Sequence, residues 1–178
     1  MPIKGLTDND GRNLGSGLPL IARMYKGDER PADGKRPGAD RTYFRVEFEP
    51  QFEHLRELWT EMYGAEPTEF SGVFLAGATV DEAFSTWLEE WTATTLLHRC
   101  DGEHQVQWFD TRINAYSRAK VLCAKDSTGG CKCQRIGRLN LIMPDFVEAA
   151  GVLGYIAVAT HSINDIITIH RYLSDIER

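Results

Sequence analysis

The stretch HRCDGEHQVQWFDTRINAYSRAKVLCAKDSTGGCKCQRIGR, residues 98–138, decides how the rest of the chain is read. All four cysteines of the 178-residue protein, Cys100, Cys123, Cys131 and Cys133, fall within 34 consecutive positions of it. Zinc accounts for such clustering, because the ion takes four thiolates or imidazoles in a tetrahedron and loop tips joined by strands can supply them. The spacing C-x22-C-x7-C-x-C is not the paired C-x2-C pattern of zinc modules, so His98 and His104 stand as reserve ligands.

Two other uses of four thiols compete with zinc. Structural disulfides belong to oxidising compartments. The opening Met1-Pro2-Ile3-Lys4-Gly5 lacks the apolar core of a secretion signal, and no stretch approaches the ~20 apolar residues of a membrane span. A reducing cytoplasm is the expected location. A catalytic thiol needs a neighbouring base and an orienting third group, and four thiols in one cluster read as ligands.

Charge singles out the same stretch. Between Arg112 and Arg138 lie seven cations, Arg112, Arg118, Lys120, Lys125, Lys132, Arg135 and Arg138, against the one acid Asp126. The segment is therefore +6 within a chain of net charge −6. An acidic body carrying a basic segment can meet a nucleic-acid backbone or an acidic protein surface, or the cations can simply keep a hairpin solvated.

Working outward, the period of the apolar residues predicts an α+β protein. Leu18–Tyr25 and Thr42–Phe48 read as strands flanking a polar loop, Lys26–Asp40; Phe44, Val46 and Phe48 alternate with Tyr43, Arg45 and Glu47. Pro50 fits the first turn of a helix with the stripe Phe52, Leu55, Trp59 and Met62, ended by Gly64. Residues 72–80 read as a buried strand. Asp81 then predicts the cap of a second helix carrying Phe84, Trp87, Leu88 and Trp91, with Glu89-Glu90 as its solvated side.

Asp101-Gly102 predicts a tight turn between strands Thr95–Cys100 and Glu103–Phe109. Tyr116–Cys123 and Gln134–Met143 are expected to pair as a second hairpin, closed through Gly129-Gly130. Pro144–Ala150 reads as a short turn or helix, Val152–Ala159 as a central strand, and Ser162 with Asp165 as a weakened capping box before a last helix. The expected architecture is a mostly antiparallel sheet with helices packed on one face and a projecting zinc-ribbon-like β-hairpin finger. Residues 1–178 would form one domain, with 95–138 as its cysteine-rich basic insertion.

Catalytic patterns are sparse. His161, Ser162 and Asp165 are triad residue types, but neighbours at one helix start rarely reach triad geometry. The sequence contains no H-E-x-x-H zinc-hydrolase pattern, no G-x-x-x-x-G-K-[ST] and no G-x-G-x-x-G.

Several motifs, taken together, resemble one known family. They are the opening M-P-I-x-G-L-T of Met1–Thr7, the strand Tyr43-Phe44-Arg45-Val46-Glu47-Phe48, His98-Arg99-Cys100-Asp101-Gly102, Cys133-x3-Gly137-Arg138-Leu139, and Thr160-His161-Ser162-Ile163-Asn164-Asp165-Ile166. They are similar to phage and prophage proteins grouped with the recombination directionality factors of large serine integrases. The resemblance implies a non-enzymatic accessory protein, encoded by a phage or prophage and acting in a bacterial cytoplasm. It would bind the integrase on its DNA sites and favour the excisive over the integrative synaptic pairing. It also implies zinc ligands at Cys100 and Cys133. Two alternatives stand beside it. One is a zinc-containing binder of single-stranded DNA or RNA, using the basic segment with Trp108, Phe109 and Tyr116 close by. The other is a metal-dependent hydrolase.

Overall fold

The computed structural model describes residues 18–28, 39, 41–74, 79–92, 95–123 and 132–176. The entry segment 1–17, most of the polar loop, Lys125, Gly129-Gly130 and Cys131 lie outside the described residues.

Among the described residues, nine strands form one sheet: β1 (Leu20–Lys26), β2 (Phe44–Phe48), β3 (Phe84–Trp91), β4 (Leu96–Cys100), β5 (His104–Asp110), β6 (Ala115–Ser117), β7 (Val121–Leu122), β8 (Gln134–Leu141) and β9 (Tyr155–Thr160). Their spatial order is β2-β1-β9-β8-β3-β4-β5-β6, with β7 also paired to β5. Among the described residues β1 with β9 is the one parallel pair, and the other strand pairs are antiparallel. The helices are α1 (Arg56–Tyr63), which continues a 3-10 turn over Pro50–Leu55, α2 (Val80–Ala83), α3 (Pro144–Ala150) and α4 (Ile163–Ile176).

Register shows which face the helices cover. Ala22 lies across from Phe48 on one side and Ile156 on the other, and Ile156 lies across from Leu141. This row shares a face, and Phe48 meets α1 and α3 through Trp59 and Phe146, whose rings pack edge-on at 5.3 Å. Ile21, Met24, Met143 and Phe146 are essentially inaccessible there. Further along the same face, a Cβ on Gly137 would stand 2.7 Å from the Phe84 ring and 3.0 Å from Ile166 of α4. Only glycine lets β8 pass that closely beneath the helix. Helices on one face of a mostly antiparallel sheet match the expected fold class.

Two expectations differ from the structure. Phe84–Trp91 is strand β3, and the helix begun at Val80 ends after one turn at Ala83. The stripe at 84, 87, 88 and 91 follows the helical period, but pairing to β4 on one side and β8 on the other overrides it and makes the segment a strand. The second hairpin is also re-paired. β8 joins β3 and β9, whereas β6 and β7 both join β5. Consequently β4, β5 and β8 run as members of the main sheet, where a projecting finger was expected. At 72–80 the described residues show one bridge, Val73 with Ile142.

Other expectations hold. The β1–β2 and β4–β5 pairs form, and Gly102 takes φ 110° in the turn between β4 and β5. β9 is central, between β1 and β8. The β-prone run Ile166–Ile169 is helical all the same, because α4 is capped: the Asp165 N–H donates to Ser162 Oγ at 3.3 Å. The Asp165 carboxylate accepts from Thr160 Oγ1 at 3.1 Å, two residues before the Ser162 cap, in place of the usual bond to the cap's own N–H.

Candidate metal site

The sheet face away from the helices carries charge. Arg23 opposes Glu47, and Tyr25 opposes Arg45. In β3 the alternation places Glu89 on this polar face and Glu90 on the helix-bearing face, so the two acids taken for one solvated patch point opposite ways. Glu89 is 2% exposed. It accepts from Arg99 Nε at 2.7 Å, from the two terminal nitrogens of Arg138 at 2.9 and 2.6 Å, and from Trp91 Nε1 at 2.9 Å. The Arg99 guanidinium also lies over the Trp87 ring, 5.4 Å from its centre. Burial alone would raise the Glu89 carboxyl, but the hydrogen bonds and charge of Arg138, with Trp91 and Arg99, outweigh it and lower its pKa from 4.5 to about 2. Arg138, expected on a partner surface, is thus committed to an internal ion cluster.

On the other face of the same three strands lies a thiol–imidazole–carboxylate group. Glu90 stands directly across from His98 of β4, and Glu89 across from Gln134 of β8. Cys133, just before Gln134, therefore arrives beside Glu90. Its Sγ is 2.9 Å from His98 Nε2, while His98 Nδ1 is 3.7 Å from Glu90 Oε2. The His98 and Glu90 side chains are 13% and 22% exposed. Among the described residues this is the one set of three His, Cys, Asp or Glu side chains whose ligand atoms all lie within 4.8 Å of one another. Such a half-buried group can hold a metal ion.

The remaining sequence-predicted ligands are placed as follows. Cys100 is fully buried, two residues from His98 along β4 and across from Leu88 of β3. Cys123 is 5% exposed, and its N–H donates to the Glu103 carbonyl at 2.8 Å. Neither belongs to the set around Cys133, and Cys131 lies outside the described residues. Cys100, Cys123 and Cys133 are not disulfide-bonded. The reserve ligand His104 sits beside the turn, its Nδ1 buried without a hydrogen-bond partner, 4.0 Å from Asp101 Oδ1.

The cations are divided between two places. Arg112, Arg118 and Lys120 are exposed around β6 and β7 at the sheet edge, Arg112 bound to Asp110 at 2.7 Å and Lys120 3.6 Å from Asp101. Lys132 and Arg135 are exposed at the start of β8, which β3, β4 and β5 separate from that edge. Lys132 also borders a cavity of about 360 Å³ with Glu90, Trp91, Gln134 and His161. The triad residue types do not form a triad: His161 Nδ1 faces the Arg135 carbonyl at 2.6 Å, and Ser162 caps α4.

Sequence reading missed Glu89 and Glu90 as site residues. The apolar residues Phe84, Trp87, Leu88 and Trp91 follow the helical period, so no alternation marked the strand; the β-prone Phe, Thr and Trp in the run were the signal available.

These features define an α+β protein with one apolar, helix-covered sheet face, one ionic face and a thiol–imidazole site spanning three strands. No helix among the described residues is long and apolar enough to cross a membrane. Residues 19–178 match the Gp3-like family, described as recombination directionality factor-like, and the chain belongs to that family. No curated protein and no solved structure shows significant similarity to it.

Proposed function

We propose that the protein is a non-enzymatic accessory factor of phage-type DNA recombination that binds a large serine integrase or its DNA complex and biases the direction of recombination. The observation that carries this reading is the family match, which spans residues 19–178 and so takes in both the sheet and the basic segment. Physically, a directional bias needs only unequal affinity for two arrangements of the recombinase. The contact surface in this reading includes the exposed cations Arg112, Arg118, Lys120, Lys132 and Arg135, with Lys125 between them in sequence. Arg138 leaves that set because Glu89 occupies it. The setting is the cytoplasm of a bacterial host. The reading also gives the protein a structural zinc ion, drawn from the Cys100, Cys123, Cys131 and Cys133 region.

Titrating the protein into a purified large serine integrase with its paired attachment sites tests this. Excision should rise and integration fall, and Lys132→Ala with Arg135→Ala should weaken the effect. Unchanged direction at saturating protein would contradict it.

A second reading, single-stranded DNA or RNA binding, draws on one observation. Tyr116 is 44% exposed on the sheet edge beside Arg118 and Lys120, the combination that stacking on a base requires. Affinity for a labelled single strand that falls steeply with salt, without any integrase, would favour it.

A further inference from the structure

We infer that Glu90, His98 and Cys133 together are ligands of one zinc-type ion, and that the buried thiols Cys100 and Cys123 are not. This deepens the zinc reading above and rests on it. In place of a thiolate set it puts a mixed one: a carboxylate, an imidazole and a thiolate.

The argument begins with distances. Cys133 Sγ is 2.9 Å from His98 Nε2, and Glu90 Oε2 is 3.7 Å from His98 Nδ1. One ligand atom from each residue lies within 4.8 Å of the other two, so the sulfur and the carboxylate oxygen also face each other across a gap that one ion can span. Bonds of about 2.0 Å to nitrogen or oxygen and about 2.3 Å to sulfur, set in a tetrahedron, hold neighbouring ligand atoms about 3.3–3.5 Å apart. The separations in the structure bracket that value, and small turns about side-chain bonds close the difference.

The register explains how the group is built. Glu90 and His98 are cross-strand partners, and Glu89 pairs with Gln134, which sets Cys133 beside Glu90. The three side chains thus form one row across β8, β3 and β4. Glu90 is also the acid on the helix-covered side of β3, where its side chain is 22% exposed. Buried charges are paired or coordinate a metal. Glu89, on the opposite face, has two guanidiniums; Glu90 faces an imidazole and a thiol. A carboxylate and a thiolate together match the double charge of the ion.

Sulfur with imidazole nitrogen suits a borderline-soft divalent ion such as zinc and not magnesium or calcium, and zinc also takes carboxylate oxygen. Cys100 sits two residues beyond His98 on β4, about 6–7 Å further along the strand. Neither it nor Cys123 joins the group. Thiol, imidazole and carboxylate also make an activated nucleophile, with the imidazole standing between the other two. Here the carboxylate reaches the sulfur's side as well, which favours a shared ion.

Zinc affinity of the purified full chain, measured by competition against a chelator, tests the assignment. The wild type should bind zinc, and His98→Ala and Cys133→Ser should each lose it. Glu90→Gln should weaken binding beyond the about 10–100-fold that loss of a merely supporting carboxylate costs. Glu90→Cys, which restores a ligand, should recover it. Cobalt loaded in place of zinc should show thiolate-to-metal charge transfer that Cys133→Ser weakens and Glu90→Cys strengthens. Cys100→Ala and Cys123→Ala should keep the wild-type affinity. Circular dichroism on every variant separates loss of ligand from loss of fold.

An affinity of Glu90→Gln within about 100-fold of the wild type, or no recovery in a folded Glu90→Cys, would remove Glu90 from the ligand set and overturn the inference. Zinc retained by His98→Ala but lost from folded Cys100→Ala or Cys123→Ala would place the ion among the thiols. That result would overturn the mixed set and leave the zinc reading standing. Absence of zinc from the folded wild type would sink both.

Discussion

The two ends of the sheet are held together by different physics. At the β1–β2–β9 end, Phe48, Trp59 and Phe146 pack ring against ring with Ile21, Met24 and Ile156. Dispersion and removal of apolar surface from water stabilise that end, with little dependence on pH. Across β3, β4 and β8, a buried glutamate between two guanidiniums ties the polar face together. Its strength depends on keeping the carboxylate charged and fully hydrogen-bonded. The lesson is that one sheet can be well packed throughout and still have two separable sensitivities, and that the functional candidates gather at the ionic end.

The largest expected effects set the ends against each other. Phe146→Ala should cost about 3–5 kcal/mol in denaturant unfolding, by a similar amount at pH 7 and at pH 4. Glu89→Ala, which strands two arginines, should cost about 3–5 kcal/mol at neutral pH. That penalty should fade in acid. The folded carboxyl titrates near 2, below its ordinary 4.5, so its stabilisation is complete above 4.5 and is lost as pH falls from there toward 2. Equal pH dependence of the two penalties would erase the distinction between the ends.

A smaller effect sharpens it at the helix covering the middle of the sheet. Gly137→Ala places a methyl 2.7 Å from the Phe84 ring and should cost about 1–3 kcal/mol by overpacking. A neutral or stabilising result would mean that α4 can lift off β8. The smallest effect belongs to the cap: Ser162→Ala should cost about 1 kcal/mol and leave zinc content unchanged.

How much of this was legible in the sequence follows the same division. At the apolar end the alternation of Phe44, Val46 and Phe48, and the stripe Phe52, Leu55, Trp59 and Met62, each have one reading, and the structure agrees with it. At the ionic end, the apolar residues of Phe84–Trp91 recur at the helical period, yet the segment is a strand. Only its neighbours β4 and β8, contributed from 96 and 134 onward, resolve it as a strand. The expected hairpin of Tyr116–Cys123 with Gln134–Met143 rested on their closeness in sequence through Gly129-Gly130, whereas β8 pairs with β3 and β9. The helical reading of 84–91 removed β3 from the sheet. It also joined Glu89 and Glu90 on one solvated side, whereas a strand sends one into the arginine cluster and the other toward His98. Residue composition drew attention to this region through its cysteines, of which Cys133 lies in the thiol–imidazole–carboxylate group. Which imidazole and which carboxylate join them depends on strand register, to which the spacing of cysteines is blind.

X-ray absorption at the zinc edge of the purified full chain tests the site most directly. The account predicts a mixed shell, sulfur at about 2.3 Å together with imidazole nitrogen at about 2.0 Å, with the nitrogen contribution gone in His98→Cys. A shell of sulfur alone in the wild type, or no bound metal in the folded protein, would contradict it.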